Sequence, residues 1–347
     1  MKVIILAGGD SSEREISLAS ARCAALALSE GKHRVTVMDP GLGWMVIDPA
    51  SASSLGRSPA RPLPDEDSLG LLAAADIVFS VLHGGPGEDG TIHAVLELLG
   101  VPYAGSPVGP SAIAMNKVTS KRLFAAAGVP TPEYLVLEAE DREHWPEVLE
   151  HGTGRLGLPL IVKPAAQGST VGLSKCSNLA QCLKAAELAA GYGPQVVVER
   201  FIDGRELTVG ILGEVPLPVL EIVVPGGFYD YRAKYQSHDN QYICPARIDP
   251  AVSARAQHYA LEAFKVLGLK DYSRLDFRLD ESGGLWCIEA NNQPGMTDSS
   301  LFPKAAKVLG LDLRAVLERI IHLALERFQA VKTGTAGKRS PGRDRGA

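Results

Sequence analysis

Short apolar runs at 3–7, 34–39 and 76–82 alternate with stretches at 13–29 and 91–99 whose apolar residues recur at helical spacing. Strand and helix in alternation predict a parallel, doubly wound α/β sheet over the first hundred residues. Residues 50–67, rich in Ser, Pro and Ala, interrupt the pattern as a surface loop. The middle of the chain is mixed: a helix over 111–127, a strand over 159–163, a glycine-containing loop and a helix over 179–190 predict a small α+β unit. Strands dominate from 196 until a helical pair, 303–309 and 313–328, separated at Gly310.

One strand pair carries more than architecture. Residues 273–280 and 285–291 alternate as strands around the four-residue loop 281–284, as in a hairpin. A symmetric loop sets Asp280 opposite Leu285, Asp276 opposite Glu289 and Arg274 opposite Asn291, all six on one face. Directly opposed residues hold their Cβ atoms about 4.5 to 5.5 Å apart, where like charges repel. A divalent cation would compensate, since Asp, Glu and Asn are hard oxygen ligands and Mg2+ is held by one or two carboxylates plus substrate phosphates. The alternative is a solvated face on which the two acids pair with Arg274 and Arg278. The hairpin alone leaves both open.

Composition narrows the classes. The 347 residues suffice for two or three domains, and a net charge of −5 with both signs interspersed points to no nucleic-acid or membrane surface. The five-residue apolar run before Gly8 and Gly9 is too short for a signal segment or a membrane span, which predicts a cytoplasmic protein. Five cysteines without CxxC spacing suggest neither zinc nor a disulfide framework. Beyond about 332 the Gly, Lys and Arg content predicts a frayed tail.

In open parallel sheets ligands sit beyond the carboxyl ends of strands. The loop after the first strand, Gly8 to Glu15, lacks GxGxxG; Glu15 reads either as a site residue or as the partner of Ser12 in a capping box. The loop after 76–82 begins with His83 and contains four glycines that permit close backbone approach to a ligand. Residues 163–172 join two strands with Lys163, Ser169, Thr170 and two glycines: a cover for phosphates, or an ordinary hairpin. The polar, aromatic segment 227–246 reads as a lid or as a linker, with Lys234 and Tyr235 at its middle.

Taken in order, KVIILAGG, SEREISL, HGGPGEDG, IVKP, GSTVG, VVVERFIDGRELTV, FYDYRAKY, RLDF and IEANNQPGMTDSSL resemble the ATP-grasp family, and within it the D-alanine:D-alanine ligases. The resemblance runs over about 1–328. It implies a three-domain ATP-grasp fold: an N-terminal parallel α/β domain over 1–104, a small central α+β domain over 105–199, and a C-terminal domain with an antiparallel sheet over 200–330. A lid near 225–243 and a disordered tail over 331–347 complete that division. It also implies that ATP is held between two antiparallel sheets and phosphorylates a D-alanine carboxylate, and that a second D-alanine then attacks through its amine.

The roles come with the resemblance. Asp276, Glu289 and Asn291 would hold two Mg2+ ions, with Mn2+ as a substitute. Lys117 and Lys163 would contact phosphates, while Glu199, Phe201, Ile202 and Glu206 would line the base and ribose. Glu15, Ser169 and Tyr235 resemble a trio linking the three domains; His83 would face the first substrate's carboxylate, and Lys234 would reach the γ-phosphate. Arg274 and the N–H of Gly295 resemble an oxyanion hole, and Ser300 with Leu301 would receive the second substrate's carboxylate. A homodimer is implied.

This chain departs from relatives at Gln167, where some have an acid, and at Asn292 and Gln293, where Thr or Ser is common. The Lys234-Tyr235 pair is the form associated with D-alanine, rather than D-lactate, as nucleophile. The competing readings are a ligase for D-lactate or D-serine and a non-catalytic nucleotide-binding protein of the same fold.

Overall fold

The computed structural model describes residues 1–52, 63–168, 170–224 and 240–336. The opening strands β1 (Lys2–Leu6), β2 (Arg34–Asp39), β3 (Met45–Ile47), β4 (Ile77–Ser80) and β5 (Tyr103–Ala104) form one sheet, ordered β3-β2-β1-β4-β5. β1 lies parallel to β2 and β4, and β4 to β5, as the alternation predicts; β3 is an antiparallel edge on β2. Helices α1 (Arg14–Glu30), α2 (Glu66–Ala73) and α3 (Thr91–Leu98) connect them. The capping box, one of two readings of Ser12 and Glu15, does not form. The helix starts one residue later, with Glu13 as N-cap and no side-chain cap bond, and Ser11 Oγ accepts from Glu13 N at 3.1 Å instead.

The single helix expected over 111–127 is two, α4 (Val108–Met115) and α5 (Lys117–Ala126). Asn116 between them is extended, at φ −88° and ψ 103°, and its side chain caps α5 by accepting from Thr119 N at 2.9 Å. Then come β6 (Tyr134–Glu138), α6 (Trp145–Leu156), β7 (Leu160–Pro164), β8 (Ser174–Cys176), α7 (Leu179–Ala190) and β9 (Gln195–Arg200). Their four strands make an antiparallel sheet ordered β6-β9-β7-β8.

The third sheet is also antiparallel. It contains β10 (Arg205–Leu212), β11 (Val215–Pro216), β12 (Leu220–Val223), β13 (Gln241–Ile243), β14 (Tyr272–Leu279) and β15 (Leu285–Asn291), in the path β13-β12-β10-β14-β15 with β11 on β10. β13 falls within the stretch expected as a lid, so its last residues are an edge strand; 225–239 lie outside the described residues. Helix α8 (Pro250–Val266) buries Ala256, Ala260 and Phe264 against Leu207, Val209, Leu275 and Phe277 on one face of this sheet, leaving the other face for the cleft. Helices α9 (Leu301–Val308) and α10 (Leu313–Ala336) follow. α10 returns to the first sheet, where Val316, Leu317 and Ile320 share a core with Val3, Ile5 and Leu18. Residues 331–336, expected as tail, continue this helix.

The β14/β15 hairpin departs from the symmetric register at its tip. Leu279, not Asp280, faces Leu285, because Asp280 folds into the turn and accepts from Ser282 N at 3.0 Å, Gly284 N at 2.8 Å and Trp286 Nε1 at 2.7 Å. Leu285 consequently packs in the core beside Phe277 rather than on the face of Asp276. A bulge then restores the expected pairs: Phe277 faces Cys287, Ile288 is extra, and Asp276 faces Glu289. Arg274 faces Asn291.

Candidate active site

The two opposed acids are compensated by side chains. Arg274 donates from Nε and a terminal nitrogen to both oxygens of Asp276 at 2.8 Å, and Thr208 Oγ1 on β10 donates to the same carboxylate at 2.6 Å. Lys117 Nζ, at the start of α5, lies 3.3 Å from Glu289. The ion-paired alternative for Arg274 is therefore what the geometry contains, while Arg278 turns to Glu206 at 3.1 Å and to the carbonyl of Ile202. Among the described residues no three His, Cys, Asp or Glu side chains converge as a cation site. Two carboxylates and the Asn291 amide are nonetheless a donor set that suits Mg2+ once substrate phosphates complete it. The donor set fits.

Between the second and third sheets lies a cleft lined by Lys117, Lys163, Glu199, Phe201, Ile202 and Glu206, with Asp276 and Glu289 also in its wall. Glu199 is 3% exposed and bridges two cations, Lys163 Nζ at 2.6 Å and Lys121 Nζ at 2.7 Å. Burial alone would raise its pKa, but the charges of Lys121 and Lys163 outweigh burial and hold it below the ordinary value. Lys121, fully buried, was not legible as a site residue. Its one signal is the i, i+4 spacing from Lys117, which puts both ammonium groups on one face of α5. Lys121 also donates to Thr131 Oγ1 at 2.7 Å. Lys117 Nζ donates to the Gln167 carbonyl at 2.5 Å, tying the loop after β7 to the same helix. Lys175 Nζ sits 3.6 Å from the ring centre of Phe201.

Glu206 titrates unusually. Burial first, with the nearby charges of Asp276 and Glu289, raises its pKa to about 7 against the pull of Arg278. The unfolded chain releases this proton near 4.5, so between about 4.5 and 7 the native state binds more protons and stability falls as pH rises. With the carboxylate 22% exposed, the fall is about 2 kcal/mol. In metal- and nucleotide-free protein, Glu206→Gln is expected to remove that decline from melting curves recorded at pH 5 to 8. Parallel pH dependences in the two proteins would contradict it.

A second cleft opens toward the first sheet. It is lined by Glu15, His83, Glu88, Asn291, Gly295 and Ser300, and Glu13, Tyr242 and Thr297 also reach it; these three lie within segments singled out in the sequence, without a role assigned to them there. His83 is buried with Nδ1 4.0 Å from Glu88, and its Nε2 has no hydrogen-bond partner among the described residues. A Cβ at Gly295 would lie 2.9 Å from Ser300 Oγ and 4.0 Å from His83 Nε2, so a side chain there would crowd the Ser300 hydroxyl. Ser300 Oγ accepts from Thr297 N at 3.1 Å. The clefts meet at Lys117, Gln167, Arg274, Glu289 and Leu301, which line both. Ser169, Lys234 and Tyr235 lie outside the described residues; Glu15 borders the second cleft, and the trio's other two members have no described position.

Residues 2–106 match the family description "D-ala D-ala ligase N-terminus", and 123–322 match "D-ala D-ala ligase C-terminus". The chain belongs to the D-alanine–D-alanine ligase family. A member from Nitrosomonas europaea is 40% identical over 325 residues, spanning 94% of this chain and 97% of that one. The ligase structure from Coxiella burnetii superposes with a TM-score of 0.83 at 27% identity, over 98% of this chain and 99% of the other. That from Bacillus anthracis, solved with ATP, gives 0.77 at 25% identity over 95% and 99%. The three-sheet architecture expected from the family resemblance is the one found.

Proposed function

We propose that this chain joins two D-alanine molecules into D-alanyl-D-alanine with cleavage of ATP to ADP and phosphate, in peptidoglycan precursor synthesis. The observation that carries the reading is the junction of the two clefts. A nucleotide between the antiparallel sheets would bring its terminal phosphate to Lys117, Arg274 and Glu289, which also border the amino-acid cleft. Phosphoryl transfer to a carboxylate there needs positioning and charge neutralisation rather than a covalent enzyme intermediate.

The chain's own residues divide the work. Lys117 and Lys163 neutralise phosphate oxygens, Glu199 and Glu206 accept from the base and ribose, and Phe201 and Ile202 supply apolar surface. Asp276, Glu289 and Asn291 would hold Mg2+, which adds positive charge at the β- and γ-phosphates. Arg274, beside Asp276 in the cleft, and the Gly295 N–H would stabilise the tetrahedral intermediate formed when the second amine attacks the acylphosphate and phosphate departs. His83 Nε2 would donate to the first substrate's carboxylate, and Ser300 with the backbone of Leu301 to the second's. Glu15, Ser169 and Tyr235 would link the domains, and Lys234 would reach the γ-phosphate. A cytoplasmic homodimer is part of the proposal; among the described residues no helix is long and apolar enough to cross a membrane.

The test is product formation with D-alanine, L-alanine, D-serine and D-lactate, with and without Mg2+. D-Alanyl-D-alanine and ADP should appear together, only with D-alanine and the cation. Exclusive use of D-lactate or D-serine as second substrate would replace the reading with another ligase specificity.

A further inference from the structure

Two consecutive side chains beyond the Asn291 strand reach the same remote loop. Asn292 Nδ2 donates to the carbonyl of Glu88 at 2.9 Å, and Gln293 Nε2 to the carbonyl of Gly87 at 2.7 Å, across more than two hundred residues of sequence. Both side chains are buried. Neighbouring residues of an extended chain would point apart, so this fork needs the chain to turn as it leaves β15. The carbonyls it meets belong to the glycine loop 84–88 after β4, which presents His83 to the amino-acid cleft.

Gln293 is held from behind. The Gly87 carbonyl can only accept, which fixes the atom facing it as the amide nitrogen, and its second proton points at His93 Nε2 on α3, 3.0 Å away. His93 therefore accepts at Nε2 and carries its proton on Nδ1. Burial keeps the ring neutral by lowering its pKa to about 4, so the acceptor is present at working pH. His93 also packs edge-on against Tyr103, centroids 5.2 Å apart. Glu88 passes the constraint forward: its carboxylate accepts from Gly84 N at 2.8 Å and lies beside His83 Nδ1. His83 Nε2 is left facing Gly295.

Stability alone is a poor reason for this arrangement. Gln293 Oε1 and His93 Nδ1 are buried without hydrogen-bond partners among the described residues, a penalty an apolar pair would avoid. We propose that Gln293, backed by His93 and flanked by Asn292, is a positioning clamp that sets the 84–88 loop, and with it His83, against Gly295 and Ser300 across the amino-acid cleft. The role rests on the ligase reading for its consequence, not for its geometry.

Two measurements separate these. In substrate-free protein, Gln293→Leu should speed amide exchange at Gly84, Gly87 and Glu88, whereas His93→Gln, which keeps an acceptor, should not; unchanged exchange in Gln293→Leu overturns the clamp whatever the substrate is. In steady-state assays, Gln293→Leu should lower kcat/KM for D-alanine by about 10- to 100-fold and leave KM for ATP within about twofold. His93→Leu should move the same way and His93→Gln restore the D-alanine dependence. Equal losses for ATP and D-alanine, or His93→Gln as damaging as His93→Leu, would overturn it, and the His93 pair decides if Gln293→Leu does not fold. A wild-type protein that forms no D-alanyl-D-alanine counts against the ligase reading, with the exchange result standing on its own.

Discussion

Glu289→Gln is expected to reduce D-alanine-dependent ADP release by roughly a thousandfold or more while moving the melting temperature by no more than a few degrees. The two effects part because Glu289 does different things in the two states. In the ligand-free chain it is one member of a partly exposed pair, 3.3 Å from Lys117 and 35% exposed, which contributes about 1 kcal/mol at most. Glutamine keeps its size and an oxygen for Lys117. In the reacting complex the proposed role is different: its charge would help hold the cations that offset the triphosphate, and an amide cannot supply that. ADP release and thermal melting on the same preparation check both halves. Near wild-type turnover would remove Glu289 from the cation site, and a collapse in stability would show that the strand, not the charge, had been damaged.

Glu199→Gln should invert that pattern, destabilising the protein by about 3 to 5 kcal/mol and lowering its melting temperature on the order of 10 °C. Two lysines, each under 5% exposed, share this one carboxylate. Without its charge, Lys121 and Lys163 are left buried together, and burial already lowers the pKa of Lys121 even with Glu199 present. The effect depends on pH in a defined direction. Because the folded pKa of Glu199 lies below its unfolded value, the carboxylate's contribution is complete above the unfolded value and is lost as pH falls through the folded one. Wild type and variant should therefore converge in acid and separate toward neutrality. A constant difference from pH 3 to 8 would mean that ionisation is not what is being measured.

Alternation around a short loop predicts the pairs Arg274–Asn291 and Asp276–Glu289, and these hold because the bulge at Ile288 offsets the residue that Asp280 adds to the turn. The tip was not legible, since Asp280 has four donors within reach of its carboxylate and leaves the ladder to meet them. Lys121 was hidden for another reason: nothing local distinguishes a buried lysine from a solvated one, and its burial is decided by Thr131 and Glu199, distant in sequence. The break at Asn116 lay inside a run of good helix formers and shows only as an Asn that caps better than it propagates. Roles that the family resemblance placed on Glu199, Glu206, His83 and Gly295 fall on residues the fold gathers around two joined clefts, though no single motif implied that junction.

The extra residue at Ile288 makes the metal-side strand sensitive to counting. Before it, odd-numbered Leu285 and Cys287 point into the core; after it, odd-numbered Glu289 and Asn291 point into the cleft, while Ala290 packs against the core. Deleting one residue from 286 to 288 would only remove the bulge and leave Glu289 opposite Asp276, but adding one, with a single bulge kept, would set Glu289 opposite Leu275, driving a carboxylate into hydrocarbon and emptying the cleft of its acid in one step. Substitutions along this stretch can be absorbed one at a time. An added residue cannot, so among functional descendants the segment should tolerate a changed side chain or the loss of the bulge residue far better than any increase in its residue number.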